Sequence, residues 1–142
     1  TAENLKKLTL INYKIVEPVS KELACRDIGN GAMSEIEDIY FATIKELKQN
    51  NYWLNREVVL SGGGTIEKID DVRYISNYSS GKMASSLALA LYLKGANVIL
   101  VSSRGHEKLP KGIFVKEVNS SNEMFLQLDN TIKNTNKLSL NL

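Results

Sequence analysis

The stretch RYISNYSSGKM, residues 73 to 83, places one Arg, one Asn, three Ser and a Gly-Lys pair directly before an apolar run that reads as a helix. At a helix N-terminus the first amides lack intrahelical partners and the dipole end is positive. Hydroxyl, amide and cationic side chains gathered there are suited to holding an anion. A second such segment, Gly62-Gly63-Gly64-Thr65, follows directly on EVVLS, residues 57 to 61. Glycine lets backbone N–H groups approach phosphate oxygens closely. In an open parallel sheet both segments fall beyond the carboxyl ends of the strands, where ligands collect. The expectation is a phosphate cradle of Gly62, Gly63, Gly64, Thr65, Ser79, Ser80, Gly81 and Lys82, with Arg73 as a further substrate-binding cation.

The spacing separates this cradle from two common ones. No third glycine arrives to open a helix, as the GxGxxG of dinucleotide folds requires. A GxxxxGK[ST] loop would need Gly where Ser76 stands and Ser or Thr where Met83 stands. The plainer readings are a turn after a strand for the glycines, and a helix cap with solvated surface for Asn77, Ser79, Ser80 and Lys82. The density of donors favours the cradle. Cys25 is either a small structural residue or, beside Arg26 on a loop, a thiol of perturbed acidity. His106 is the only histidine, so no zinc set and no metal site of the chain's own is expected.

These residues need elements to hold them. With 142 residues, 43% of them hydrophobic and 24% charged, the chain has the composition of a globular domain with a core. A net charge of +2, from 18 basic and 16 acidic residues, argues against nucleic acid as the leading partner. No run reaches the roughly 18 apolar residues that a bilayer span needs, so no membrane is expected. One cysteine excludes an internal disulfide, which fits a reducing, cytoplasmic setting. The start at Thr1, with neither Met nor a signal segment, reads as a piece of something longer.

Leu5, Leu8 and Ile11 predict a short helix over residues 3 to 11, and YKIV, 13 to 16, a strand. Residues 17 to 33 read as one long loop with a turn at Gly29-Asn30-Gly31. Ser34, with Glu37 three residues on, is the capping-box spacing and predicts a helix to about Gln49. A linker over 51–56 precedes strands at 57–61, 97–102 and 113–118. A helix from Ser80 to Lys94, ended by Gly95, lies between the first two, and another begins near Glu123 behind Ser120 or Ser121. From Asn130 the chain is an Asn- and Lys-rich polar tail, a frayed helix or a disordered end. The fold class expected is α/β: a Rossmann-like open parallel sheet, incomplete with at least three strands, preceded by a small helical and loop segment.

Val58 to Val101, VVLSGGGTIEKIDDVRYISNYSSGKMASSLALALYLKGANVILV, resembles the start of the phosphopantothenoylcysteine synthetase module of coenzyme A biosynthesis. The pattern there is T-A-G-P-T-x-E-x-I-D-x-V-R-x-I-x-N-x-S-S-G-K-M-G. This chain meets it at Gly63, Thr65, Glu67, Ile69, Asp70, Val72, Arg73, Ile75, Asn77, Ser79, Ser80, Gly81, Lys82 and Met83. It departs at Gly62 and Gly64, for the usual Ala and Pro, at Asp71 for a common Pro, and at Ala84 for a common Gly. ELACRDIGNGAM, residues 22 to 33, is similar to the clamp L-A-C-G-x-x-G-x-G-R-M near the end of the flavin-dependent phosphopantothenoylcysteine decarboxylase, the other module of the bacterial bifunctional family. Here Arg26 replaces Gly and Ala32 replaces Arg. The resemblance covers about residues 3 to 128.

The resemblance implies a parent enzyme that joins 4′-phosphopantothenate to cysteine with CTP and Mg²⁺ through an acyl-cytidylate, then decarboxylates the product with FMN. Residues 1–50 would be the end of the decarboxylase, 51–56 the linker, 57–129 the start of the synthetase and 130–142 the tail. The cradle would hold the triphosphate. Asn77 would handle the acyl-cytidylate, a task suited to an amide, which donates to a developing oxyanion without carrying charge. Cys25 would be the clamp cysteine that returns a proton to the enethiolate. The flavin site and the synthetase's downstream cytosine-binding segment are not in this chain, so no turnover by itself is expected. A homo-oligomer, a dimer through the synthetase module, is. The other readings weighed are a non-catalytic nucleotide-phosphate-binding module and a fragment of a nicotinamide-dependent oxidoreductase.

Overall fold

A computed structural model describes residues 2–22, 28–105 and 109–135. They form two compact units, residues 1–43 and 44–142. In the first, α1 (Ala2–Leu10) is the helix expected at the start. Residues 13–16 are not the expected strand, and Tyr13 and Val16 are exposed. Pairing occurs instead within the stretch read as a single loop, where β1 (Val19–Glu22) runs antiparallel to β2 (Ile28–Ala32). A strand needs a neighbouring strand, and residues 13–16 pair with none among the described residues, despite their β-branched character. IGNGA pairs despite its glycines, so Gly29 to Gly31 lie in a strand and not in a turn. Ser34 is buried, and its hydroxyl donates to the Glu17 carbonyl. The helix it was expected to cap, α2 (Ile36–Lys48), opens one residue later, on the bond from Ile39 N–H to the Glu35 carbonyl at 3.2 Å.

The second unit contains β3 (Glu57–Gly62), β4 (Ile66–Lys68), β5 (Tyr74–Ser76), α3 (Lys82–Leu93), β6 (Asn97–Ser102), β7 (Phe114–Glu117) and α4 (Ser121–Asn134). The three expected strands form one parallel sheet in the order β3-β6-β7. Glu57–Gly62 pair with Asn97–Ser102, and Ile99–Ser102 with Phe114–Glu117. Continuous apolar runs mark strands covered on both faces, and alternate residues divide accordingly. Val58, Leu60, Val98 and Leu100 join Ala88 and Leu91 of α3 in one core. Val59 and Val101 join Val118, with Met124 and Leu128 of α4 packed against them, in the other.

The ends of these helices follow from named residues. Gly95, at φ 103°, ends α3, with its N–H on the Tyr92 carbonyl at 3.0 Å and the Ala96 N–H on Leu91 at 3.1 Å. That is a Schellman closure, which needs a left-handed residue. Ser120 caps α4 by accepting from the Glu123 N–H at 3.2 Å. The helix then continues to Asn134, into the stretch read as tail.

The second unit also contains a hairpin not expected from the sequence. Between the glycine run and α3, β4 and β5 form an antiparallel hairpin pairing Ile66 with Ser76, Glu67 with Ile75 and Lys68 with Tyr74. Its strands have three residues each, too short for a period to show.

Candidate functional site

The glycine run leaves β3 at the carboxyl edge of the sheet, and three chain segments meet there at backbone distance. A Cβ on Gly62 would overlap the Cβ of Ala84 in α3. Gly63 has φ 89°, and a Cβ there would overlap the Ser103 hydroxyl. At Gly64 a Cβ would stand 2.8 Å from the Asn77 carbonyl oxygen and 3.5 Å from the Ser79 Cβ. Gly81, at φ 73°, caps α3, and a side chain there would overlap the Arg104 carbonyl. The Ser103 hydroxyl donates to the Gly64 carbonyl at 3.0 Å. The Ser85 hydroxyl donates to the Gly81 carbonyl at 3.1 Å and also reaches the Gly105 carbonyl. The glycines therefore let the loops after β3 and β6 and the start of α3 close on one another.

Around this junction Asn77, Ser79, Ser80 and Lys82 are exposed and Thr65 is half-buried. The α3 start was expected at Ser80. It begins at Lys82 because Gly81 takes the left-handed cap, with no side-chain cap bond. The first α3 bond shown runs from the Ser85 N–H to the Gly81 carbonyl at 3.1 Å. Amides before it carry the helix's positive end. The arrangement can present an anion with backbone N–H groups, hydroxyls and one lysine.

Arg73 serves the hairpin turn. Asp70 Oδ1 accepts the Val72 and Arg73 N–H groups at 2.9 and 2.7 Å, and its Oδ2 accepts Arg73 Nε at 2.7 Å. The guanidinium holds the Asp70 carboxyl below its usual range, with the two amides adding to this. Glu67 ties the hairpin to α4: its Oε1 accepts the Ser121 N–H at 2.7 Å, beside an Ile66 N–H to Asn119 carbonyl bond, also 2.7 Å. The bond from the Ser121 N–H is the main reason the Glu67 carboxyl lies below its usual range; the Ser121 hydroxyl adds to it and the Thr65 hydroxyl contributes less.

Beside Asn77 lies an open cavity of about 240 Å³ lined by Tyr74, Ser76, Asn77, Tyr78 and Arg104. Sequence reasoning passed over the loop of Ser103, Arg104 and Gly105. The signal was present, since this loop leaves the second parallel strand at the same edge and carries its own glycine at φ 83°. Cys25, Arg26 and His106 lie outside the described residues. Among the described residues no group of three or more His, Cys, Asp or Glu is placed to hold a metal, and no helix is long and apolar enough to cross a membrane.

Comparison with known proteins places the chain. Residues 53–139 match the model of the DNA/pantothenate metabolism flavoprotein C-terminal domain, and residues 1–48 match the Flavoprotein family. The coenzyme A biosynthesis bifunctional protein CoaBC of Haemophilus influenzae is 38% identical over 135 residues, which are 94% of this chain and 34% of that protein. CoaBC of Escherichia coli is 41% identical over 124 residues, 83% of this chain and 29% of its own length. The chain thus spans about a third of the length of these curated relatives. Among solved structures, the C-terminal domain of a CoaBC aligns with a TM-score of 0.56 at 31% identity, over 62% of this chain and 44% of that one. A DNA/pantothenate metabolism flavoprotein from Streptococcus pneumoniae shares the fold, with a TM-score of 0.52 at 20% identity, over 61% of this chain and 40% of that one. The nicotinamide-dependent oxidoreductase and the stand-alone phosphate-binding module gain no support. With more than half of its residues matched by the family model, the chain belongs to the DNA/pantothenate metabolism flavoprotein family.

Proposed function

We propose that this chain is part of a bifunctional enzyme of coenzyme A biosynthesis and carries the triphosphate-binding part of its phosphopantothenate–cysteine ligase. In that reaction a carboxylate oxygen of 4′-phosphopantothenate attacks the α-phosphorus of CTP and pyrophosphate leaves. The cysteine amine then attacks the acyl carbon and CMP departs. Residues 57–129 supply the ligase portion, residues 1–50 the end of the decarboxylase, 51–56 the connection and 130–142 the tail.

The observation that carries this reading is the meeting of two loops: Gly64 is so close to Asn77 and Ser79 that the glycine run and the start of α3 form one surface. Amides and hydroxyls of Gly62 to Thr65 and Ser79 to Gly81, with the Lys82 ammonium, hold the triphosphate. Asn77 donates its amide N–H to the oxyanion that develops as the acyl-cytidylate forms and breaks. Mg²⁺ would accompany the nucleotide and offset the charge of its triphosphate. In the decarboxylase part, Cys25 returns the proton. FMN would be held by the decarboxylase module of the parent and would supply its redox chemistry. Arg73 has a supporting role through the hairpin turn beside the substrate.

Self-association as a dimer and a cytoplasmic location complete the proposal. The exposed side chains of Val72, Ile75, Tyr78 and Met83, and the edge strands β3 and β7, which pair with no further strand among the described residues, support the dimer. A strictly monomeric species in sedimentation would contradict it.

Calorimetric titration with CTP and Mg²⁺ tests the cradle. Binding is expected in the wild-type chain and is lost in Ser79→Ala or Lys82→Ala with the fold intact; no binding at millimolar CTP would sink the assignment. The purified chain is expected to form no phosphopantothenoylcysteine from cysteine, 4′-phosphopantothenate and CTP, and product formation would show that the site is complete.

A further inference from the structure

We propose that Arg104 anchors an oxyanion, the carboxylate or phosphate of the acyl substrate, in the cavity it walls with Tyr74, Ser76, Asn77 and Tyr78. The inference rests on the ligase reading above and adds the residue that fixes the second substrate. Arg104 is placed with unusual firmness for a loop residue. The fully buried Ser102 accepts its N–H at 3.3 Å and donates to its carbonyl at 2.6 Å. That carbonyl stands where a Gly81 side chain would be, so the Arg104 backbone is held from both sides.

The side chain is fixed as well. It is half-buried, and one terminal nitrogen donates to the Ser76 hydroxyl at 3.2 Å. A guanidinium carries five N–H donors in a planar fork that matches carboxylate or phosphate oxygens, and one serves Ser76. The phenol rings of Tyr74 and Tyr78, both exposed, flank the space. At about 240 Å³ the cavity is smaller than the roughly 300 Å³ where sites for whole drug-sized ligands begin, so it suits one charged end of a ligand. Asn77 lines the same cavity, which puts a bound oxyanion beside the residue assigned to the acyl group.

The test titrates the 142-residue chain with 4′-phosphopantothenate, with pantothenate, which lacks the phosphate, and with 4′-phosphopantetheine, which lacks the carboxylate, and in parallel with CTP. Arg104→Gln is expected to weaken 4′-phosphopantothenate by about tenfold or more, Arg104→Lys by less, and neither to change CTP binding. Dependence on Arg104 that persists with pantothenate assigns the carboxylate; dependence that persists with 4′-phosphopantetheine assigns the phosphate. Thermal melts establish that the variants fold. Ser76→Ala, which releases the guanidinium and also removes the 3.4 Å bond from the Ser76 hydroxyl to the Asn77 carbonyl, is the second variant and weakens the same ligand by a smaller factor. Unchanged 4′-phosphopantothenate affinity in Arg104→Gln, an equal loss of CTP affinity, or a wild-type chain that binds CTP but no acyl ligand overturns this proposal alone. A wild-type chain that binds neither overturns the ligase reading with it.

Discussion

The chain has two glycine-rich stretches, and the same cue has opposite physical meanings in them. In β2, a Cβ added at Gly31 would meet no atom of the described residues within 4 Å. Around the β3 edge, Cβ atoms on Gly62, Gly63 and Gly81 would each overlap another segment, and Gly63 and Gly81 also hold left-handed backbone angles. At Gly31 in the first unit glycine is tolerated; at the sheet edge it is required. What a missing side chain would strike separates the two cases, and residue type alone does not.

Substitution at Gly81 should widen the contrast most. Gly81→Ala combines a positive φ, worth about 1–2 kcal/mol for a non-glycine residue, with overpacking against the Arg104 carbonyl, worth about 1–3 kcal/mol. Denaturant unfolding should therefore show a loss of about 3 kcal/mol in the second unit, and a loss below a few tenths would mean the loops are not closed as described.

The next effect probes a single methyl group. The family pattern has Ala and Gly where this chain has Gly62 and Ala84, and a Cβ on Gly62 would occupy the place of the Ala84 Cβ. One methyl fits between β3 and α3, on either side. Gly62→Ala alone should cost about 2 kcal/mol by overpacking, and Ala84→Gly alone about 1 kcal/mol of helix propensity. The double variant should be more stable than Gly62→Ala, a coupling read from a double-mutant cycle. Simple additivity would remove the shared-methyl account.

A smaller effect follows pH. The Glu67 carboxyl is held below its ordinary value of 4.5, chiefly by the Ser121 amide. A depressed folded pKa gives stability that is present above the unfolded value and is lost as pH falls through the folded one. The tether of the hairpin to α4 should therefore weaken in acid, below about 4.5 and not above it, and Glu67→Gln should flatten that part of the melting curve against pH. An unchanged acid limb in Glu67→Gln would show that the bond contributes nothing in solution. Smallest of all, Gly31→Ala should leave stability unchanged or raise it by about 0.5 kcal/mol, through a less flexible unfolded chain. A clear loss would erase the difference between the two glycine stretches.

The parallel sheet was legible because VVL and VILV are apolar without alternation, and strands covered on both faces have that pattern. Gly95 and Ser120 announced their helix ends because capping depends on local residue chemistry. The β1–β2 and β4–β5 hairpins were not legible, since their strands of three to five residues owe their pairing to partners that no local pattern reveals. At the site, the donors from Ser79 to Lys82 and the glycines could be named from sequence. The loop of Arg104 was signalled by the glycine after the second parallel strand, but the place of its guanidinium was not, because that arises only where the loop after β6 meets Ser76 and Gly81.

The central claim is that the loop after β3 and the start of α3 form one surface for a triphosphate. Backbone amide shifts of the isotope-labelled chain, followed during titration with CTP and Mg²⁺, test it most directly. The account predicts saturable shifts concentrated at Gly63, Gly64, Thr65, Ser80, Gly81 and Lys82, with Gly29 and Gly31 unmoved. Shifts centred elsewhere, or none at millimolar CTP, would contradict it.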